Sequence, residues 1–171
     1  MNNKGFTLIE MTVVTAIFVL LITAGSGIFI SSIKAQRQSL ASQEVLDQTS
    51  YLMEYMSKAL RMANKDLTGA CTGTAKLNYS FQSGCLKFKN WQGTCQQFCL
   101  DGTRIKDENN NYLTSPSLTV SSFNIVLFGA EQPPTDNKQP RVTLFLEVLG
   151  KEGSHIETQT TISQRNPDIR Q

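Results

Sequence analysis

The chain is predicted to fold as an α+β protein, in which a long N-terminal α-helix packs on a C-terminal antiparallel β-sheet. The helix is membrane-spanning in its first half and amphipathic in its second. Three observations carry this. Met11 to Ile33 is a run of 23 residues without a charge. Between Ile28 and Thr68 there is neither a glycine nor a proline. From Gly69 onward the texture changes to short β-like runs separated by turn residues. A helix followed by a series of strands is the α+β pattern.

The uncharged run comes first. At about 1.5 Å per residue, a helix over Met11–Ile33 covers roughly 34 Å, enough for a hydrocarbon core about 30 Å thick. A secretory signal peptide has an apolar region of about 7–15 residues and a small-residue cleavage site, so this run is too long to be one. A buried core helix is the alternative, but a chain of mildly negative overall hydropathy needs none so continuously apolar. Lys4 precedes the span, and Lys34 and Arg37 follow it, so the positive-inside count gives no orientation. Glu10 stands at the edge of the span. A carboxylate there is disfavoured and marks a function with a partner, the alternative being a side chain that snorkels to the headgroups.

The second half of the helix follows from periodicity. Val45, Thr49, Leu52, Met56, Ala59 and Ala63 recur at spacings of three and four, with Leu46, Met53 and Leu60 alongside. This is one apolar stripe. Glu44, Asp47, Glu54, Lys58 and Arg61 lie largely off it, and Glu54 precedes Lys58 in a favourable i,i+4 pair. Span and stripe together predict one helix over residues 6–67, with the transmembrane part at about 11–33, and a β-rich globular body over 68–171. Met53, Met56 and Met62 are expected to fill gaps in the core.

In the body, Leu77–Gln82, Cys85–Trp91, Cys95–Leu100, Thr103–Lys106, Leu118–Phe128, Arg141–Leu149 and His155–Gln164 are the expected strands. Asp101-Gly102 is the expected two-residue hairpin turn. Asn109-Asn110-Asn111 and the proline-bearing Ala130–Pro140 are expected loops, with a polar tail from Asn166.

Four cysteines stand at 71, 85, 95 and 99. If the body is exported, an oxidising compartment and two disulfides follow. A zinc site is the rival, but spacings of fourteen, ten and four residues lack paired CxxC knuckles. Two-residue alternation puts Leu86 and Phe88 opposite Phe98 and Leu100 on the core side, leaving Cys85 on the other face with Cys95 and Cys99, and roughly opposite Cys99. On one strand Cys95 and Cys99 would lie about 13 Å apart at ~3.3 Å per residue, beyond the reach of a disulfide. The expected pairs are Cys71–Cys95 and Cys85–Cys99.

No nucleophile motif, phosphate-binding glycine loop or metal spacing is present, so no catalytic residue, metal or cofactor is expected. His155 sits beside Glu157 in a turn-to-strand position. Lys76, Lys87, Lys89, Arg104 and Lys106 cluster in the strands near Trp91, a pattern that suits DNA phosphates. Against this, the net charge is only +2, with Asp101, Asp107 and Glu108 interleaved, which reads as a solvated sheet face.

The start of the chain carries the functional signal. Lys4-Gly5-Phe6-Thr7-Leu8-Ile9-Glu10, followed at once by the uncharged span, resembles the prepilin signature of the type IV pilin-like family of pilins, minor pilins and pseudopilins. The resemblance covers about the first 35 residues. It implies a leader, residues 1–5, cut after Gly5 by a prepilin peptidase on the cytoplasmic side, with N-methylation of Phe6. It also implies a single-pass anchor in the cytoplasmic membrane with the body outside. Assembly with other pilin or pseudopilin subunits would follow, Glu10 neutralising the amino terminus of a neighbouring Phe6. The product would be an extracellular type IV pilus or a periplasmic pseudopilus of a type II secretion-like machine. A minor tip subunit binding DNA or a surface ligand is the remaining alternative. Many family members carry a proline partway along the span. Here Gly25 and Gly27 occupy that neighbourhood, either as a place where the helix loosens on packing or as a close helix–helix contact.

Overall fold

The computed structural model describes residues 5–166. The leader up to Lys4 and the tail from Pro167 lie outside the described residues. The chain divides into two units, Met1–Leu40 and Ala41–Gln171. The helix α1 runs Leu8–Arg61 and belongs to both.

In the first unit every described residue is exposed, and α1 passes unbroken through Gly25 and Gly27. The helix is long and apolar enough to cross a membrane. Its polar side chains are arranged for such surroundings. Thr12, Thr15, Thr23 and Ser26 fold their hydroxyls back onto carbonyls three or four residues earlier, as in Thr23 Oγ1 to Val19 O at 2.8 Å. Each hydroxyl is thus satisfied inside the helix, as an apolar solvent requires.

In the second unit α1 buries Ala41, Val45, Thr49, Leu52, Met56 and Leu60. The stripe falls on Leu60, with Ala59 at its flank, because four residues past Met56 continue the same face. Leu46, expected beside the stripe, is exposed. The stripe packs against seven antiparallel strands in two sheets. One has the order β1 (Tyr79–Gln82), β2 (Cys85–Lys89), β3 (Cys95–Asp101), β4 (Arg104–Lys106). The other has the order β5 (Thr119–Phe128), β6 (Arg141–Leu149), β7 (His155–Ser163). The α+β, pilin-like architecture is therefore present, with its strands divided between two sheets. The sheets meet where the Val120 amide donates to Thr103 O at 2.8 Å and where Phe81 meets Phe123 edge to face at 6.0 Å. Tyr79 fixes the helix to β1 by donating its hydroxyl to Leu60 O at 2.8 Å. Burial pushes that phenol well above its ordinary pKa.

Alternation places Leu86, Phe88 and Phe98 in the core, with Leu86 opposite Phe98 and Cys85 opposite Cys99. The β3–β4 turn differs from expectation. Asp101 pairs with Arg104, so the loop is Gly102-Thr103, with φ +61° at Gly102. A glycine at positive φ in the first loop position is the arrangement that matches the twist of hairpin strands.

The helix ends at Arg61 rather than at residue 67, although no glycine or proline stops it. Tertiary pairing does. The Asn64 amide donates to Lys89 O at 2.9 Å, drawing the chain onto β2. Arg165 N and Gln164 Nε2, beyond β7, donate to the carbonyls of Arg61 and Ala63. Met62 consequently leaves the stripe and is exposed, so it does not join Met56 in the core. The buried Asp66 then organises the following loop. Its carboxylate accepts the amides of Gly69, Ala70, Cys71 and Thr72 at 2.9–3.2 Å and the Thr72 hydroxyl at 3.1 Å. Burial acts to raise this carboxyl, but the donors of Thr72, Cys71 and Ala70 outweigh it and hold the carboxyl below its usual range.

A prediction follows for acid stability. Because the folded value is depressed, the stability Asp66 contributes is complete above the unfolded value of about 3.9. It is lost as pH falls through the lower folded value. Asp66→Ala leaves four amides without their acceptor and is expected to destabilise the body by about 3 kcal/mol. The acid-labile component of its thermal unfolding should shrink. An Asp66→Ala melting curve that tracks wild type from neutral to acid pH refutes this.

Candidate functional site

The site begins where α1 begins. Thr7 precedes the helix, and its side chain and that of Glu10 cap one another. The Thr7 amide and hydroxyl both donate to Glu10 Oε2 at 2.8 Å, and the Glu10 amide approaches Thr7 Oγ1 at 3.4 Å. This is a capping box, in which residues three apart each satisfy the other's main-chain donor at a helix start. Thr7 was not singled out from the sequence, though a threonine three residues before a glutamate at the head of an apolar run is the signal for it. Both hydrogen bonds fall on Oε2, and Oε1 has no hydrogen-bond partner among the described residues. The carboxylate is therefore held in place by one oxygen while presenting the other.

Around it, Phe6 is 82% exposed, and Leu8 and Ile9 are likewise bare. Gly5 has no atom within 4 Å of where a Cβ would stand. Gly5, Phe6 and Glu10 thus share one uncovered chain segment, in which the Glu10 carboxylate is held by Thr7, the residue that follows Phe6.

The other residues considered from sequence lie in the second unit. Cys71 is bonded to Cys95 and Cys85 to Cys99, with Cα–Cα separations of 5.0 and 4.0 Å. The first pair ties the Asp66 loop to β3, and the second joins registered positions of β2 and β3. Two of the basic residues are already engaged. Arg104 donates twice to Thr114 O and stacks on Tyr112 at 3.9 Å, and Lys106 pairs with Asp101 at 3.1 Å. This subtracts from a phosphate-binding face. His155 is exposed at the start of β7, and Glu157 faces Glu147 across strands. Among the described residues no group of His, Cys, Asp and Glu could hold a metal ion.

A model of the prokaryotic N-terminal methylation motif matches residues 1–26. The chain carries a type IV pilin-like prepilin signature. No curated protein and no solved structure matches the chain. The prepilin signature covers the segment that holds the capping box and the start of the apolar helix. It is the mark of structural subunits, and it implies processing by a prepilin peptidase and assembly with other pilin-type subunits. An exposed apolar helix that begins within the signature and runs on beyond it is consistent with membrane anchoring followed by filament assembly.

Proposed function

We propose that the chain is a prepilin, cut between Gly5 and Phe6, N-methylated on Phe6, and assembled through its apolar helix into a type IV pilus or a related filament. The observation that carries this reading is the segment Phe6–Leu40, uncovered along its whole length and bearing large exposed apolar side chains, its first part lying in the methylation motif over residues 1–26. Apolar surface on this scale needs lipid or protein around it. A bilayer supplies it before assembly, and the helices of other subunits supply it afterwards. Glu10 is the element that makes the second environment preferable. Its free Oε1 accepts the amine of a neighbouring Phe6, turning two costly charges into a pair.

In this reading residues 1–5 are the leader, about 11–33 span the membrane, and the β-rich body lies on the extracytoplasmic side. The distinction between pilus and pseudopilus, and between shaft and tip subunit, is made by imaging shed filaments labelled for this protein.

The processing step has its own test. Wild-type protein recovered from membranes should lack Met1–Gly5 and carry one added methyl group on Phe6. Gly5→Leu places a branched side chain at the cleavage position and is expected to leave the full-length mass unchanged. Trimming of Gly5→Leu at the same bond, or an untrimmed wild type, would remove the basis for this reading.

A further inference from the structure

The β2–β3 hairpin and α1 frame a groove of about 340 Å³. Tyr55 and Lys58 line it from the helix, Trp91, Gln92 and Gln96 from the hairpin, and Glu108 from the loop after β4. Trp91 is the only tryptophan of the chain, and it is 63% exposed.

The loop that carries Trp91 is rigidly built. Asn64 Nδ2 donates to the carbonyls of Asn90 and Trp91 at 3.2 and 3.0 Å. Asn90 Oδ1 accepts the amides of Gln92 and Thr94 at 3.0 Å, and the Asn90 amide donates to Thr94 O at 2.8 Å. An aromatic side chain on such a loop offers a large contact face at little cost in ordering. Across the groove, Tyr55 on the helix wall stands opposite the hairpin residues Gln92 and Gln96.

The chemistry of the walls selects the ligand. An extended peptide is recognised through main-chain hydrogen bonds, and in this loop the amides of Gln92, Gly93 and Thr94 and the carbonyls of Asn90 and Trp91 already have partners. Nucleic acid needs a positive field. Here Lys58 is offset by Glu108, and both Glu108 and Asp107 act on the Tyr55 hydroxyl as negative charges. A wholly apolar ligand would strip water from two amides, a carboxylate and an ammonium without replacing it. A sugar ring meets every condition. It has an apolar C–H face for an indole and uncharged hydroxyls that both donate and accept. We propose that this groove binds a neutral saccharide, one ring stacked on Trp91 and its hydroxyls bonded by Gln92, Gln96 and Glu108. The proposal does not depend on assembly, and it holds or fails for the unassembled protein.

The single tryptophan makes the test direct. Full-length protein in a polyoxyethylene detergent, which has no sugar headgroup, is titrated with the methyl glycosides of glucose, galactose, mannose, N-acetylglucosamine and N-acetylgalactosamine. At least one should change the Trp91 fluorescence saturably, with a Kd of about 1 mM for a single ring, and salt should have little effect. Gln96→Ala and Glu108→Gln should each weaken that binding about tenfold, the consequence of one lost hydrogen bond in a small ligand. Trp91→Ala, followed by saturation-transfer NMR, should abolish it. A flat response to all five glycosides overturns the proposal. So does a response that Gln96→Ala and Glu108→Gln leave unchanged, or one obtained only with a proline-rich peptide or an oligonucleotide.

Discussion

Replacing Glu10 with glutamine is expected to lower incorporation into filaments about 100-fold while leaving membrane insertion and leader removal intact. The estimate comes from stranding the neighbour's amine in apolar surroundings, a cost on the order of 3 kcal/mol, with each 1.4 kcal/mol worth tenfold. Glutamine is the informative substitution because of the capping box. Its side-chain oxygen can still accept the Thr7 amide and hydroxyl that Glu10 Oε2 accepts now, since glutamine serves as well as glutamate at that position of the motif. Helix initiation is thereby preserved and only the charge is removed. Thr7→Val makes the complementary change, taking away the hydroxyl and keeping the charge. If Glu10 acts by pairing with an amine, Glu10→Gln fails to assemble and Thr7→Val assembles. If it acts only as a cap, the outcomes are reversed. Quantifying each variant in sheared filaments against the membrane pool, with the trimmed mass measured in both, decides between them.

The features legible in the sequence are those whose physics is local or periodic. The uncharged span declares itself by length, and the stripe of Val45, Thr49, Leu52 and Met56 by the helical repeat. The burial of Leu86, Phe88 and Phe98 follows from the alternation of a strand. The end of α1 was not legible, because nothing in residues 62–67 forbids a helix. Arg61 is its last residue because Asn64 has a partner on β2 and because residues from beyond β7 take the carbonyls of Arg61 and Ala63. These contacts are long-range in sequence. Met62 lies outside the core for the same reason, since its place depends on a helix end set elsewhere. The shift of the β3–β4 turn to Gly102-Thr103 has a subtler cause. Asp-Gly and Gly-Thr are both acceptable turn pairs, and the register of Leu100 with Ile105 chooses between them. Of the candidate site, Glu10 stands out in the sequence as an acid at the edge of the span, whereas Gly5 and Phe6 come from the resemblance of residues 4–10 to a prepilin signature. The role of Thr7 required seeing which oxygen of Glu10 it engages. The groove at Trp91 could not be read from sequence at all, because Asn64, Asn90 and Glu108 come together only through the fold.

Phe98→Ala is expected to be the most destabilising single change in the body, costing about 3–5 kcal/mol. Phe98 is fully buried on β3, and its ring meets Tyr55 of the helix edge to face at 5.9 Å and Phe88 of β2 at 5.7 Å. It thus joins the amphipathic part of α1 to the sheet that carries both disulfides. Truncation removes these ring contacts together and leaves a cavity that neighbours cannot fill, because Cys99, next along the strand, is fixed to Cys85. For a domain stable by about 5–15 kcal/mol the loss is a large fraction, equivalent to a fall in Tm of roughly 10–15 °C. The crosslinks constrain the unfolded chain and do not replace core packing, so the loss should appear with both disulfides oxidised. Phe128, a half-exposed residue of β5, provides the control, with Phe128→Ala expected to cost no more than about 1 kcal/mol. Thermal unfolding of the detergent-solubilised full chain, followed by near-ultraviolet circular dichroism, compares the two. Equal melting temperatures for Phe98→Ala and Phe128→Ala would mean that Phe98 does not hold the helix to the sheet. A large difference would locate the stability of the body at the junction of α1 with the β2–β3 hairpin, the same junction that positions Tyr55 and Trp91 on either side of the groove.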